Sequence, residues 1–124
     1  MSATVAITGA SGLLGGNLAA LLVERGMKVR AIKRRSSRVD HLADVPIDWV
    51  EGDLDDVGAM TRCFENASAV YHCAGIADVK SSWSESTRAF WVNAFGTHVM
   101  LDALKRVGLE IPVLVTGSAG SRVS

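Results

Sequence analysis

The stretch that decides the fold is Ala3-Thr4-Val5-Ala6-Ile7, followed at once by Thr8-Gly9-Ala10-Ser11-Gly12-Leu13-Leu14-Gly15. The apolar run reads as a buried strand, and a helical pattern resumes directly after the glycines. Strand, glycine-rich turn and helix in this order form a cradle for a pyrophosphate. Gly9 lets the chain turn sharply off the strand, Gly12 lets backbone approach a phosphate, and Gly15 lets the helix pack close to the sheet. The helix start offers N–H groups without a partner inside the helix, together with the positive end of the helix dipole. Gly9, Ser11, Gly12, Leu13, Leu14 and Gly15 are therefore the candidate contacts to an anion.

Outward from this turn, short apolar runs alternate with helical patterns, which argues for a parallel sheet covered by helices. The first strand is Ala3 to Thr8. The first helix runs from about Gly12 to Arg25, with Leu14, Leu18, Leu21 and Leu22 on one face and Gly26 as C-cap. A second strand, Lys28 to Lys33, leads into the polar stretch Arg34 to Asp40 and a helical turn near His41 to Ala43. Pro46 introduces a third strand, Ile47 to Glu51. Asp55 is the expected N-cap of a short helix that reaches Phe64, with Asn66 taking the left-handed exit. The fourth strand is Ala69 to Cys73. Ser82-Trp83-Ser84-Glu85 has capping-box spacing and opens a helix to about Val107, closed by Gly108. Gly96 inside that helix implies close packing against a neighbour, and Pro112 to Thr116 is the fifth strand. The right-handed crossover rule then favours a Rossmann-type doubly wound parallel sheet of order 3-2-1-4-5. A ligand is expected at the carboxyl ends of strands one and four.

The bulk numbers set limits. A chain of 124 residues suffices for one domain with a real core and is short for two. Hydrophobic residues make up 48% and charged residues 21%, ordinary values for a soluble α/β protein. The formal net charge is zero, so no global field draws the chain to nucleic acid or to an anionic membrane. No apolar run approaches the roughly 20 residues that span a bilayer. Cys63 and Cys73, on a helix and a buried strand, read as reduced packed thiols that match a cytoplasmic setting and leave no metal site.

The turn Thr8 to Gly15 resembles the cofactor turn of the extended short-chain dehydrogenase/reductase superfamily, which includes dihydroflavonol reductase-like enzymes, 3β-hydroxysteroid dehydrogenases and nucleotide-sugar epimerases. Further segments resemble the family in the right order. Glu51-Gly52-Asp53-Leu54 is similar to the Gly-Asp-Leu whose Asp contacts adenine. Val70-Tyr71-His72-Cys73-Ala74-Gly75 is similar to the fourth-strand segment that lies along the cofactor. Val92-Asn93-Ala94-Phe95-Gly96-Thr97 is similar to the Asn-Val-x-Gly-Thr of the long helix. Val115-Thr116-Gly117-Ser118-Ala119-Gly120 is similar to the fifth-strand segment with the catalytic serine, which maps onto Ser118. Gly117 departs from the family's Ser-Ser pair. The resemblance implies cofactor contacts at Asp53, Leu54, Cys73, Ala74, Gly75, Asn93 and Thr116, with Asn93 in a supporting role on backbone near strand four. It also implies a small-molecule substrate and a homodimer formed through the long helix. Trp83, Phe90, Trp91 and Phe95 on that segment read as core and interface packing rather than as a binding stripe. His72, inside a strand, reads as a packed, hydrogen-bonded histidine rather than a catalyst.

The second strand bears on the choice of cofactor. In NAD-binding relatives its end carries an Asp or Glu that accepts from the ribose hydroxyls. Here that place holds Lys33-Arg34-Arg35, then Ser36 and Ser37. A carboxylate would repel a 2′-phosphate, whereas a guanidinium can bind it in bidentate fashion. Arg34 is the first candidate and Lys33 and Arg35 support it, so the expectation is NADP over NAD. A solvated basic loop is the alternative for these residues, as a helix cap is for Asp53.

The superfamily's Tyr-x-x-x-Lys, a phenol with a lysine that lowers its pKa, does not occur. The one tyrosine, Tyr71, is followed four residues later by Gly75. The sequence is thus expected to be the N-terminal portion of an NAD(P)-binding domain, truncated after the fifth strand and inactive alone. The implied whole protein is an NADP-dependent oxidoreductase of the dihydroflavonol reductase-like kind, acting on a ketone or secondary alcohol. A nucleotide-sugar epimerase or dehydratase fragment, and a non-catalytic NADP(H)-binding module, are the alternatives.

Overall fold

The computed structural model describes residues 3–53, 55–73, 86–108 and 111–115, with 86–94 as backbone only. Five strands are described: β1 (Thr4–Thr8), β2 (Lys28–Lys33), β3 (Ile47–Glu51), β4 (Ala69–His72) and β5 (Val113–Val115). Between them lie α1 (Leu13–Glu24), a 3-10 turn (Asp40–Leu42), α2 (Val57–Phe64) and α3 (Ser86–Val107). All strand pairings are parallel, in the order β3-β2-β1-β4-β5. The sheet order expected from the crossover rule is the order found.

β1 is central because its residues can be buried on both faces. Val5, Ala6, Ile7 and Thr8 are all buried, and alternate side chains go to opposite layers, as the two-residue period of a strand requires. Val5 and Ile7 join Val29 and Ala31 of the sheet beneath Ala19 and Leu22 of α1. Ala6 joins Ile32 and Val70 beneath Met60, Cys63 and Phe64 of α2 and Val99, Met100 and Ala103 of α3. The result is three layers, with α1 on one face of the sheet and α2 and α3 on the other.

The seat of α1 differs from the leucine face expected from spacing. Its buried residues are Gly15, Gly16, Ala19 and Leu22, while Leu14 and Leu21 are exposed. Small residues bring the helix backbone against the sheet, so the long side chains at neighbouring positions swing outward. α1 ends in a Schellman motif whose C-cap lies one residue earlier than the Gly26 expected. The C-cap is Arg25, Gly26 follows with φ +86°, and the Met27 N–H bonds the Leu22 carbonyl at 3.0 Å.

The N-cap of α2 is Asp56, not Asp55. Asp56 has extended backbone, and its carboxylate accepts from the Ala59 N–H at 3.0 Å. Its neighbour lies one residue too early to reach that donor. Asn66 makes the left-handed exit with φ +59°. Arg30, on β2, holds the far end of α2: its Nη1 donates to the Glu65 carbonyl at 2.6 Å, and its Nε pairs with Asp48 at 3.1 Å. Cys63 and Cys73 are both free thiols, and burial pushes the Cys63 thiol up to about 12. β4 ends at His72, with Cys73 just beyond it. On α3, Phe95 is half-exposed and lies in a tilted arrangement 6.4 Å from the His98 ring; it is not a core residue. Trp83 and the capping-box segment lie outside the described residues. Among those described, no helix is long and apolar enough to cross a membrane.

The corrected cap gives a direct test. Asp56→Ala is expected to lower the unfolding free energy by about 1 kcal/mol, and Asp55→Ala to leave it nearly unchanged, in urea denaturation. Equal losses would contradict the assignment.

Candidate functional site

The register of the sheet brings the carboxyl ends of its central strands level. Thr8, the last residue of β1, pairs with Ile32 of β2 on one side and with His72 of β4 on the other. The glycine turn after Thr8, the basic stretch after Lys33 and the chain after His72 therefore leave the same edge of the sheet. Two further bonds lock this edge. Thr8 Oγ1 and His72 Nδ1 are hydrogen-bonded at 2.7 Å with both residues buried. The Cys73 N–H donates to the Thr8 carbonyl at 3.0 Å. Burial holds the His72 pKa below its ordinary 6.5, so the ring is neutral at neutral pH and acts as a structural partner, as its place in a strand suggested.

The turn itself is built around two backbone requirements. Gly9 has φ +80°, the left-handed region that side chains avoid. At Gly15, a Cβ would run into the Gly9 carbonyl, 2.7 Å from its carbon and 3.0 Å from the Ala10 Cα. The helix therefore starts in direct contact with the peptide that leaves β1. Gly12 is different. Its backbone is extended, and a Cβ there would meet only the Gly9 oxygen, at an ordinary 3.4 Å. Among the described residues nothing requires glycine at position 12, whereas close approach of an external group would.

The first bond within α1 is from the Gly16 N–H to the Gly12 carbonyl, at 2.9 Å. The N–H groups of Leu13, Leu14 and Gly15 come before it and have no carbonyl of the helix to bond. No side chain caps this end and no acidic residue lies in its first turn, so nothing on the helix competes with a bound anion. Leu13 is 85% exposed and Leu14 59%. Two leucines open to solvent beside bare N–H groups suit a ligand with an anionic centre and flat apolar parts.

A groove lies on the same edge over β2 and β3. Arg34, Arg35, Ser36, Glu51, Gly52 and Asp53 line this open depression of about 590 Å³. The Gly52 N–H donates to the Lys33 carbonyl at 2.9 Å and extends the β2–β3 pairing to the groove floor. Arg34 and Arg35, expected from sequence as phosphate ligands, thus share a groove with Asp53, expected as an adenine contact. Lys33 belongs to β2 and is not part of the lining. Ser36, Glu51 and Gly52 join the groove without having been singled out as ligands. Their signal in the sequence is adjacency to Arg35 and Asp53, which becomes informative only once the Lys33–Glu51 register is known.

Leu54, Ala74, Gly75, Thr116 and Ser118 lie outside the described residues, and Asn93 is described as backbone of α3 only. A second depression, of about 450 Å³, lies toward the opposite strand ends, between Met27, Pro46 and Ile47. No helix start lines it, and of its charged members Arg30 and Asp48 are paired with each other while Lys28 is exposed. The carboxyl edge is the better candidate because it alone of the two combines a helix start with a groove.

A glycine-turned helix start at the centre of a doubly wound parallel sheet, beside a cation-bearing groove, defines a dinucleotide-binding protein. Known proteins place it more narrowly. Residues 5–121 match the NAD dependent epimerase/dehydratase family, and the chain belongs to that family, whose cofactor is a nicotinamide dinucleotide. A Synechocystis sp. protein named after dihydroflavonol 4-reductase is 36% identical over 114 residues, which are 91% of this chain and 32% of that protein. GDP-mannose 4,6-dehydratase of Vibrio cholerae is 36% identical over 116 residues, 83% of this chain and 31% of the dehydratase. Among solved structures, UDP-glucose 4-epimerase from Brucella ovis in complex with NAD superposes with a TM-score of 0.86 at 26% identity, over 99% of this chain and 38% of the epimerase. The chain spans about a third of the length of the curated relatives it matches.

The two kinds of glycine separate fold from binding. Gly15→Ala is expected to destabilise the protein by about 1–3 kcal/mol through overpacking, read as a lowered thermal midpoint. Gly12→Ala is expected to leave the midpoint unchanged and to weaken dinucleotide binding at least roughly tenfold, through loss of close phosphate approach. Undiminished binding by Gly12→Ala would remove the assignment of this turn to a phosphate.

Proposed function

We propose that the chain forms the NADP-binding portion of an oxidoreductase that reduces a ketone, or oxidises the matching secondary alcohol, on a small organic substrate. The observation that carries the cofactor choice is the pair of guanidinium groups, Arg34 and Arg35, in the groove at the end of β2. This is where NAD-binding sites present a carboxylate to the ribose. Arg34 and Arg35 bind the 2′-phosphate, Asp53 accepts from the adenine amino group, and the Leu13, Leu14 and Gly15 N–H groups receive the pyrophosphate. The exposed leucines at the helix start cover apolar parts of the cofactor. A bound nicotinamide supplies the hydride donor or acceptor, and Ser118 hydrogen-bonds the substrate oxygen, as its place in the family motif implies. The relative named for dihydroflavonol 4-reductase supports the reductase reading.

A second reading has its own support. The similarity to GDP-mannose 4,6-dehydratase and to UDP-glucose 4-epimerase favours a nucleotide-sugar epimerase or dehydratase, in which the cofactor is restored within each turnover. The two differ in net cofactor consumption. A whole protein of the reductase kind, given NADPH and a ketone, consumes NADPH in proportion to product, whereas the epimerase or dehydratase kind shows none.

Arg34→Ala is expected to weaken NADPH binding by about 1.5–3 kcal/mol, the worth of a hydrogen bond to a charged partner, and to change NADH binding little. Fluorescence titration of both reduced cofactors measures this. Equal affinity of the unmodified chain for the two, unmoved by Arg34→Ala, would refute the 2′-phosphate assignment.

A further inference from the structure

The groove at the end of β2 holds acids as well as cations. Its lining sets the guanidinium groups of Arg34 and Arg35 against the carboxylates of Glu51 and Asp53, so its formal charge is balanced. Asp53 has a role in the reading above, but Glu51 does not. It is the last residue of β3, in register with Lys33, and its backbone place is fixed by the β2–β3 pairing. Its side chain is exposed, and among the described residues it makes no ion pair, whereas Asp48 on the same strand is tied to Arg30. Lys33 across the strand pair is a complementary charge, yet among the described residues no ion pair joins the two, so the Glu51 carboxylate stays available to the groove.

We propose that Glu51 is a cofactor-selectivity residue, which lets the Arg34/Arg35 groove take the unphosphorylated as well as the 2′-phosphorylated dinucleotide. The inference rests on the reading of this groove as the 2′-phosphate site. A carboxylate accepts from ribose 2′- and 3′-hydroxyls and repels a phosphate in the same place. β2 lacks that acid at its carboxyl end, and β3, paired with it in register, supplies one. When the ribose carries a 2′-phosphate, Arg34 and Arg35 hold it and Glu51 opposes it. When the ribose is bare, Glu51 holds the hydroxyls. A unit charge opposing a dianion at roughly 6 Å in a water-like dielectric alters binding about tenfold, and salt reduces this.

The test is Glu51→Gln in the chain, titrated with adenosine 2′,5′-bisphosphate and with 5′-AMP, which probe the groove without the nicotinamide half. The ratio of the two affinities is expected to shift about tenfold toward the bisphosphate at low ionic strength, and by less in 0.5 M salt. Glu51→Lys is expected to move it further the same way. A ratio within about twofold of the unmodified chain would overturn the role of Glu51. Arg34→Ala run in parallel separates the two possible failures. If it weakens the bisphosphate while Glu51→Gln leaves the ratio unchanged, only the present inference falls. If Arg34→Ala does not weaken the bisphosphate, the reading of the groove falls and this inference with it. Unchanged thermal midpoints confirm that each variant is folded.

Discussion

The contact between Gly15 and the Gly9–Ala10 peptide is the constraint on which the rest depends. It leaves no room for a side chain at the start of α1, so the helix begins against the end of β1 with its first N–H groups directed at the carboxyl edge of the sheet. The core follows from the same seat. Gly16 and Ala19 continue the close approach, and Leu22 reaches the cluster around Val5, Ile7 and Val29. On the opposite layer Phe64, Met60 and Met100 fill the space under Ala6 and Val70. The strand that carries the turn is thus buried on both faces, and the Thr8–His72 bond joins its end to β4. A rigid base of this kind allows a glycine turn to hold the same shape whether or not an anion is bound.

Strand positions and sheet order were legible in the sequence because parallel strands buried on both faces read as short apolar runs, and handedness prunes the ways of connecting them. The contact face of α1 was legible only in part, since Leu18 and Leu22 reach the core but Leu14 and Leu21 do not. Leucines dominate any search for an apolar stripe, yet at a close helix–sheet contact the smallest residues decide which face is inside. The cap of α2 was blurred for another reason. Asp55 and Asp56 are equally good caps by type, and only the backbone turn into Val57 chooses between them. For the site, Arg34 announced itself by charge at a strand end. Glu51 did not, because its relation to Arg34 exists only through the pairing of β2 with β3.

Gly12 and Glu51 share a property that separates binding from folding. One is a glycine with ordinary space around it, and the other an exposed acid that makes no ion pair among the described residues. Gly9, Gly15 and Asp56 each satisfy an internal need. Gly12 and Glu51 both lie on the carboxyl edge of the sheet. That edge holds the turn, the Arg34/Arg35 groove and the open leucines, and the family of the chain binds a nicotinamide dinucleotide. The opposite end of the sheet has a depression of similar size but no helix start.

The central claim is that the carboxyl edge, from the glycine turn to the Arg34 groove, forms one dinucleotide site. The most direct measurement is an amide-resolved NMR titration of the chain with adenosine 2′,5′-bisphosphate. Shifts concentrated at Gly9–Gly15, Arg34–Ser36 and Asp53 are the expected result. Shifts confined to the depression around Met27, Pro46 and Ile47, with the glycine turn unmoved at saturation, would contradict the account.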